Sequence, residues 1–229
     1  MLDFGFYNMD CMQGMKEFPD KFFDIAIVDP PYGGVTQGGY MRNQMGGGIA
    51  RNKTYNLALW EQGKPPKEYF DELKRVSKNH IIWGGNYFTT LINHDSQCWV
   101  AWDKERPEEI SFTSVELAYT SFDRASEIFH YKWNGMLQGD MKNKEFKIHP
   151  TQKPVRLYEW LVNKFCNPDD IILDTHVGSA SSLIAYHRTR HKYVGFEIDP
   201  NYYAAAKRRL DDETAQISMF DLGFNPYQE

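Results

Sequence analysis

Short apolar runs alternate along the chain with segments whose apolar residues recur at helical spacing. Residues 22–29 form the clearest run: they are rich in β-branched residues and stop at Pro30-Pro31, which predicts a buried strand. Further strands are predicted within residues 80–83, 98–102, 114–121, 170–174 and 193–198, and helices within residues 67–77, 157–165, 178–188 and 202–210. Strands that alternate with helices predict an α/β fold with a mostly parallel sheet.

Two segments depart from this pattern. Residues 33–53 contain seven glycines and little periodicity, and so long a glycine-rich loop is typical of a mobile or functional segment. Residues 104–148 are more polar, which predicts an insertion that determines specificity. The length of 229 residues predicts one domain, residues 1–229, that contains both segments.

Composition and charge exclude several classes of protein. The net charge of −5 and the pI of about 5.8 exclude a general polyanion binder, so any contact with nucleic acid needs a local basic surface. No apolar run approaches the ~18 residues of a membrane span, and the first residues lack the features of a secretory signal. The three cysteines are far apart, which argues against a zinc ribbon or a disulfide framework. We therefore expect a cytoplasmic protein without a membrane segment.

The first motif with chemical potential is Asp29-Pro30-Pro31-Tyr32, at the end of the predicted strand. Two prolines fix the backbone and remove two N–H donors, so the neighbouring carbonyl groups become rigid acceptors. A carboxylate and fixed carbonyl groups suit an exocyclic amine, and Tyr32 offers a flat face for a stacked base. Residues 83–88 also follow a strand; they are a candidate for the lining of the base pocket, with core packing as the alternative.

The second motif is a turn of small residues, 174–181, that follows a strand and opens a helix. Such a turn offers free N–H groups to a carboxylate or a phosphate. Glu197 ends the next strand, about 20 residues beyond Gly178, where an acid holds a ribose diol in nucleoside-binding α/β folds. Because the turn has little glycine, it disfavours a dinucleotide pyrophosphate and favours S-adenosylmethionine over NAD.

Together these segments resemble the amino-group DNA methyltransferases of the adenine-N6/cytosine-N4 type. The motif at 29–32 precedes the cofactor motif at 174–181, an order that resembles the β group of that family. Residues 149–155, His-Pro-Thr-Gln-Lys-Pro-Val, closely match the family segment beside the cofactor motif, and Asn8-Met9-Asp10 resembles the segment with the acid that meets the cofactor adenine.

The resemblance implies a Rossmann-like fold of the class I S-adenosylmethionine-dependent methyltransferases, with a mixed, mostly parallel sheet and helices on both faces. It implies that Asp29, Pro30, Pro31 and Tyr32 form the catalytic motif. The residues implied to bind S-adenosylmethionine are Asp10, His149, Thr151, Gln152, Lys153, Asp174, His176, Gly178, Ser179, Ser181 and Glu197. One departure is notable: Thr175, His176 and Ala180 stand where the family usually has proline, phenylalanine and glycine.

The implied reaction is methylation of a base flipped out of double-stranded DNA, as in restriction–modification systems. The aspartate of the first motif favours adenine N6, since cytosine-N4 members more often begin that motif with serine. A direct in-line displacement requires neither a covalent cysteine intermediate nor a metal. Residues 104–148 then become the target-recognition insertion. Candidate phosphate contacts are Arg42, Arg51 and Lys53 in the glycine-rich loop, and Lys142, Lys144 and Lys147 in the polar segment.

Three alternatives remain open from the sequence. The target could be cytosine N4, or the substrate could be RNA or a protein amide, although the recognition insertion disfavours the latter pair. The third alternative is an inactive DNA-binding module, which only the altered turn at 175–180 supports. The recognition sequence, a partner nuclease and a homodimeric state are likewise left open.

Overall fold

An eight-stranded sheet forms the centre of the molecule. The structure is a computed structural model, and it describes residues 1–33, 63–92, 95–106, 113–134 and 137–215. The strands of the central sheet are β1 (Gly5–Asn8), β2 (Phe23–Val28), β3 (Ser77–Trp83), β4 (Trp99–Asp103), β5 (Val115–Thr120), β6 (Glu127–His130), β9 (Ile171–Asp174) and β10 (Lys192–Glu197). Two short strands, β7 (Trp133–Asn134) and β8 (Leu137–Gln138), pair separately as a hairpin.

The strand order in the central sheet is β1-β10-β9-β2-β3-β5-β4-β6. β5 is antiparallel to β3 and β4, and the remaining pairs are parallel, which confirms the predicted mixed sheet. The short strands β1 and β6, at the two edges, lie outside the strands predicted from the sequence. Each has four residues and little apolar signal, so pairing with a neighbour decides its conformation.

Helices cover both faces of the sheet, as predicted. The helices are α1 (Cys11–Met15), α2 (Lys67–Val76), α3 (Thr89–Ile92), α4 (Val155–Phe165), α5 (Ser181–Arg188) and α6 (Pro200–Thr214). Side chains of β2 alternate between two cores because successive residues of a strand point to opposite faces. Ile25 and Ile27 pack with α4, α5 and α6, whereas Ala26 and Val28 pack with α1, α2 and α3. In the described residues, no helix is long and apolar enough to cross a membrane.

The structure describes little of the glycine-rich loop but most of the polar segment 104–148. All but the first residue of the glycine-rich loop lies outside the described residues, and Arg42, Arg51 and Lys53 lie outside them too. Within residues 104–148, β5 and β6 are strands of the central sheet, so the predicted insertion is partly built into the fold. The part of this segment that follows β6 lies outside the central sheet and contains β7 and β8. Its role in target recognition stays a prediction.

The chain reverses direction across the sheet between two neighbouring parallel strands, β9 and β2. From β9 it proceeds through α5 to β10 on one side, and from β2 it proceeds to β3 on the other. In open α/β sheets the carboxyl ends of two such strands diverge and form a crevice that binds ligands. Asp174 ends β9 and Asp29 directly follows β2, so both motifs reach this crevice.

Candidate active site

A cavity of about 280 Å³ lies at the carboxyl ends of β2, β9 and β10. It brings together predicted site residues that are far apart in the sequence. The predicted residues in its lining are Asp10, Asp29, Pro31, His149, Thr151, Gln152, Lys153, His176, Gly178, Ser179, Ser181 and Glu197. Asp174 lies beneath this lining, fully buried at the end of β9.

The turn after β9 is held by Asp174. Its Oδ1 accepts a hydrogen bond of 2.9 Å from the backbone N–H of His176, and its Oδ2 accepts one of 2.5 Å from the hydroxyl group of Ser182. Burial raises the pKa of Asp174 to about 7. Ala180, at the start of α5, has φ of +62°, which explains the family preference for glycine at this position, since a left-handed conformation costs about 1 kcal/mol for other residues.

Glu197 faces this turn from the end of β10. Its Oε2 accepts a hydrogen bond of 2.9 Å from the N–H of Gly178, and its Oε1 accepts one of 2.9 Å from the N–H of Asp199. Burial raises the pKa of Glu197. The two bonds orient a half-buried carboxylate in the cavity wall, where the sequence predicts contact with a ribose diol.

Asp10, Ser179 and Ser181 also have hydrogen-bond partners within the protein. Asp10 caps α1: its Oδ1 accepts hydrogen bonds from the N–H groups of Met12 and Gln13. The hydroxyl groups of Ser179 and Ser181 are 3.1 Å apart, and Arg209 donates to the carbonyl of Ser179 and to the hydroxyl of Ser181. These contacts fix the start of α5 beside the cavity.

His176 takes the place of the family phenylalanine and keeps an aromatic contact. Its ring packs edge-on against Tyr69 of α2, with 5.4 Å between centroids, and its Nδ1 is 2.9 Å from Oγ1 of Thr175. Burial lowers the pKa of His176 to about 4, so the ring is neutral at physiological pH. The Thr175 hydroxyl also contacts the hydroxyl of Tyr69 at 2.6 Å. The departure at 175–176 therefore forms a small polar network with Tyr69.

Residues 149–153 form the opposite wall of the cavity. The ring of His149 packs against Tyr202 at 4.4 Å between centroids, and burial lowers the pKa of His149 to about 3. Oε1 of Gln152 accepts a hydrogen bond from the N–H of Ile148, and the Gln152 carbonyl accepts one from the indole of Trp133. The Gln152 side chain thus stabilises the segment from within. The hydroxyl oxygen of Thr151 lies 3.3 Å from Nδ1 of His149.

Lys153, predicted as a cofactor contact, reaches the first motif. Its ammonium group forms an ion pair with Oδ2 of Asp29, and it is almost fully buried. The hydroxyl of Tyr32 donates to Oδ1 of the same carboxylate at 2.5 Å. Thus the structure joins residues 149–153 to the Asp29 motif. The same segment approaches the turn after β9, since a Cβ atom on Gly178 would lie 3.6 Å from the His149 ring.

The ring of Tyr32 packs against residues 83–88, whose predicted place in the base pocket stays a prediction. Tyr87 stacks on it at 5.2 Å between centroids, and Phe88 packs edge-on at 5.9 Å. Gly84 has φ of +68°, and a Cβ atom there would lie 2.2 Å from the ring of Tyr32. Only glycine therefore allows this turn to approach Tyr32.

Glu116 and Lys104 are site neighbours that sequence patterns do not single out. Glu116, on β5, is 3.3 Å from the ammonium of Lys153 and also pairs with Lys104, which follows β4. The available signal was a charged residue inside the predicted strand 114–121. Such residues are common on exposed strands, and only the packed structure shows that this side chain is three-quarters buried, at 25% exposure.

The three lysines predicted in the polar segment separate into two groups. Lys142 and Lys144 are exposed on a turn closed by Asp140, whose Oδ1 accepts from the N–H groups of Lys142 and Asn143. The ammonium of Lys147 instead lies over the indole of Trp133 at 4.6 Å. Burial, together with neighbouring cations, lowers the pKa of Lys147 to about 8. Lys142 and Lys144 therefore remain the accessible cations of this group.

Comparison with known proteins identifies relatives that are similar in sequence over most of the chain. A type II methyltransferase of Haemophilus parainfluenzae, M.HpaI, is 24% identical over 249 residues, which is 93% of this chain and 76% of the relative. M2.MboI of Moraxella bovis, also a type II methyltransferase, is 24% identical over 250 residues, covering 93% and 89%.

Solved structures share the fold. The PvuII DNA methyltransferase, described as cytosine-N4-specific, superposes with a TM-score of 0.59 at 14% identity, covering 94% of this chain and 93% of that one. The M1.HpyAVI–SAM complex superposes with a TM-score of 0.55 at 19% identity, covering 89% and 98%. The N6/N4 methyltransferase model, described as DNA methylase, matches residues 67–208, more than half of the chain. This chain therefore belongs to the DNA methylase family of N6 and N4 amino methyltransferases.

Proposed function

We propose that this protein transfers a methyl group from S-adenosylmethionine to the N6 amine of adenine in double-stranded DNA. The observation that carries the proposal is that Asp29 and the turn after β9 open into one cavity. An acceptor for an amine and a binding site for a nucleoside cofactor thus lie side by side. M1.HpyAVI, which shares the fold, was solved in complex with SAM.

The cavity fits S-adenosylmethionine by the chemistry of its walls. The oriented carboxylate of Glu197 suits the ribose diol, and Asp10 lies in the same wall for the adenine amine. The neutral ring of His176 offers an apolar surface, and the 176–181 turn opens α5 for a carboxylate. When bound, the cofactor supplies a methyl group activated on a positively charged sulfur.

The chain's own residues orient the nucleophile. Tyr32 stacks against the flipped base, while Asp29 and the carbonyl of Pro30 accept hydrogen bonds from its exocyclic amine. These bonds draw the nitrogen lone pair out of conjugation with the ring. As positive charge develops on the nitrogen, the interaction with Asp29 strengthens, and this carboxylate receives the proton that the nitrogen loses. Rate acceleration comes from alignment and electrostatic preorganisation.

Adenine is favoured over cytosine because the first motif begins with Asp29, whereas serine is more common in cytosine-N4 enzymes. The fold shared with the cytosine-N4-specific PvuII enzyme keeps cytosine N4 as the second candidate. The test is to incubate unmethylated DNA with labelled cofactor and to identify the methylated nucleoside by mass spectrometry. We expect N6-methyladenine from the wild-type protein and at least a 10²-fold slower single-turnover rate from Asp29→Ala.

Three results would redirect the proposal. N4-methylcytosine would assign the protein to the second candidate. Methylation of RNA in a parallel reaction, with none of DNA, would change the substrate class. Tight DNA binding with no methyl transfer would indicate an inactive binding module.

A further inference from the structure

Four groups of alternating charge form a largely buried chain beside the first motif, in which the Asp29 and Glu116 side chains are 17% and 25% exposed. Lys104 pairs with Oε1 of Glu116, Oε2 of Glu116 lies 3.3 Å from the ammonium of Lys153, and Lys153 pairs with Asp29. The side chains of Lys104 and Lys153 are only 9% and 4% exposed. Asp29 is thus one end of a network that extends away from the cavity into the sheet.

The sheet register accounts for this arrangement. β5 is antiparallel to β4, and Glu116 lies opposite Trp102, one pair from the end of β4. The start of β5 therefore lies at the edge where β4 and its parallel neighbours end. This places Glu116 beside Lys104, which directly follows β4, and beside the segment that carries Lys153.

All four groups need their partners, because a buried charge without a counter-charge is strongly destabilising. Burial favours the neutral acid, yet the ammonium groups of Lys153 and Lys104 lower the pKa of Glu116 to about 2. Burial likewise opposes the charge of Lys153, but Asp29 and Glu116 together raise its pKa. Lys153 therefore stays charged at neutral pH through two carboxylates.

We propose that Glu116 is a positioning residue for the methyl-transfer reaction: it anchors the Lys153 ammonium, which in turn orients the Asp29 carboxylate toward the target amine. The inference rests on the proposed function, and it adds Glu116 to the residues that determine the rate. Glu116 does not line the cavity described above and acts only through Lys153. A misplacement of about 1 Å at a reacting group can lower a rate by about 10²-fold.

The charged and titratable groups that face Lys153 come from several elements. Asp29 and Tyr32 follow β2, Glu116 lies on β5, and Lys104 follows β4. His149, from the same segment, and Tyr158 of α4 also face this network, as do Tyr69 of α2 and Asp174 at the end of β9. Arg106 and Lys147 face Lys104. His149 is neutral near pH 7, since burial lowers its pKa to about 3, and burial raises the pKa of Tyr158 well above its ordinary value. Asp174 and Lys147 have pKa values of about 7 and about 8, so they titrate in the wild type and in any Glu116 variant alike. The effect of the Glu116 charge on the two lysines is therefore read from the difference between the two pH profiles.

The test compares single-turnover methylation of DNA by the wild-type protein with that by Glu116→Gln. We expect the variant rate to be about 10-fold to 100-fold lower at neutral pH. The rate should fall further as pH rises, because Lys153 then loses its proton at lower pH than in the wild type. Glu116→Asp, which keeps the charge, should recover part of the rate. Cofactor affinity by calorimetry should stay unchanged.

The matched control is Glu127→Gln on β6, because Glu127 also forms ion pairs, with Arg124 and Lys164, but lies outside this network. The double variant Lys104→Gln/Glu116→Gln separates positioning from stability. Glu116→Gln leaves the Lys104 ammonium without its carboxylate, which should lower the thermal midpoint. The double variant also removes that cation, so its thermal midpoint should return toward the wild-type value while its rate and pH profile stay impaired.

Two results would overturn the inference: a wild-type rate and pH profile in Glu116→Gln, or a rate that recovers with stability in the double variant. Because every comparison is made against an active wild-type protein, failure of the proposed function is separate. It would appear as the absence of methyl transfer by the wild type itself.

Discussion

The hydroxyl group of Tyr32 donates a hydrogen bond of 2.5 Å to Oδ1 of Asp29. Since Lys153 pairs with Oδ2, both oxygens of the proposed acceptor already have a partner before a base enters. The target amine must therefore compete with the Tyr32 hydroxyl, while the Lys153 contact can remain. The tyrosine proposed to stack on the base thus also occupies one oxygen of the carboxylate in the free protein.

This geometry predicts different results for two substitutions of Tyr32. Tyr32→Phe keeps the ring and frees Oδ1, so the single-turnover rate should stay within about threefold and capture of the base should not weaken. Tyr32→Ala removes stacking of about 1–3 kcal/mol and should raise the KM for DNA accordingly. The measurement is single-turnover methylation over a range of DNA concentrations. A rate loss above tenfold in Tyr32→Phe would instead give the hydroxyl a direct role.

Glu197→Gln should weaken cofactor binding by about 10-fold or more, because an amide offers one acceptor oxygen where the carboxylate offers two. Isothermal calorimetry with S-adenosylmethionine measures the effect. Glu213→Gln is the control, since Glu213 pairs with Arg188 away from the cavity. Equal affinity in Glu197→Gln and the wild type would contradict the diol role of Glu197.

Asp174 predicts a pH dependence of stability in the cofactor-free protein. Its pKa is raised from 3.8 to about 7 by burial, so the folded state binds this proton more tightly than the unfolded state. The resulting stabilisation is fully present below about pH 4 and is lost as pH rises through about 7. Asp174→Asn has no titratable group at this position and therefore lacks this pH-dependent stabilisation. Its thermal midpoint, relative to the wild type, should therefore be higher at about pH 8 than at about pH 5, and a constant difference would argue against burial of the ionised group.

His176→Phe tests whether the unusual turn is compatible with cofactor binding. The His176 ring is neutral and its main aromatic contact is with Tyr69, so phenylalanine should keep the affinity for S-adenosylmethionine within about threefold. His176→Ala removes that contact and should bind more weakly. Calorimetry decides between the variants. A loss above tenfold with phenylalanine would show that the imidazole nitrogen atoms bind the cofactor.

Lys142 and Lys144 should contribute to the salt dependence of DNA binding. Each phosphate contact contributes about 0.9 to the slope of log K against log salt, so alanine at both positions should reduce the slope by up to about 1.8. The control is Lys78→Ala/Lys192→Ala. These exposed lysines lie at the amino ends of β3 and β10, whereas the cavity lies at the carboxyl ends of the strands. The measurement is DNA affinity by fluorescence anisotropy as a function of salt. Equal slopes in the two double variants would place the DNA surface elsewhere.

Local features of the sequence are sufficient to predict the two motifs at the strand ends. A β-branched run that stops at Pro30 predicts where β2 ends, and the small-residue turn before α5 predicts a ligand-binding helix start. The spacing of 19 residues between Gly178 and Glu197 also reflects local structure, since one helix and one strand separate them. The structure confirms the strand ends and the helix start, because these features depend on neighbouring residues within a single strand–helix–strand unit. The ligand-binding role of the turn stays a prediction.

Contacts between distant segments depended on the tertiary structure. Lys153 reaches Asp29 across 124 residues of sequence, and Glu116 joins them only because antiparallel β5 pairs with β4 in one register. A shift of one residue would turn Glu116 to the other face of the sheet. The burial that alters the pKa values of Glu116, Asp174 and His176 likewise arises from packing of elements that periodicity cannot place relative to one another. The sequence by itself thus determined the longer central strands and helices and the residue types at their ends. Pairing with neighbours decided the edge strands β1 and β6, and the sheet order decided which charges meet.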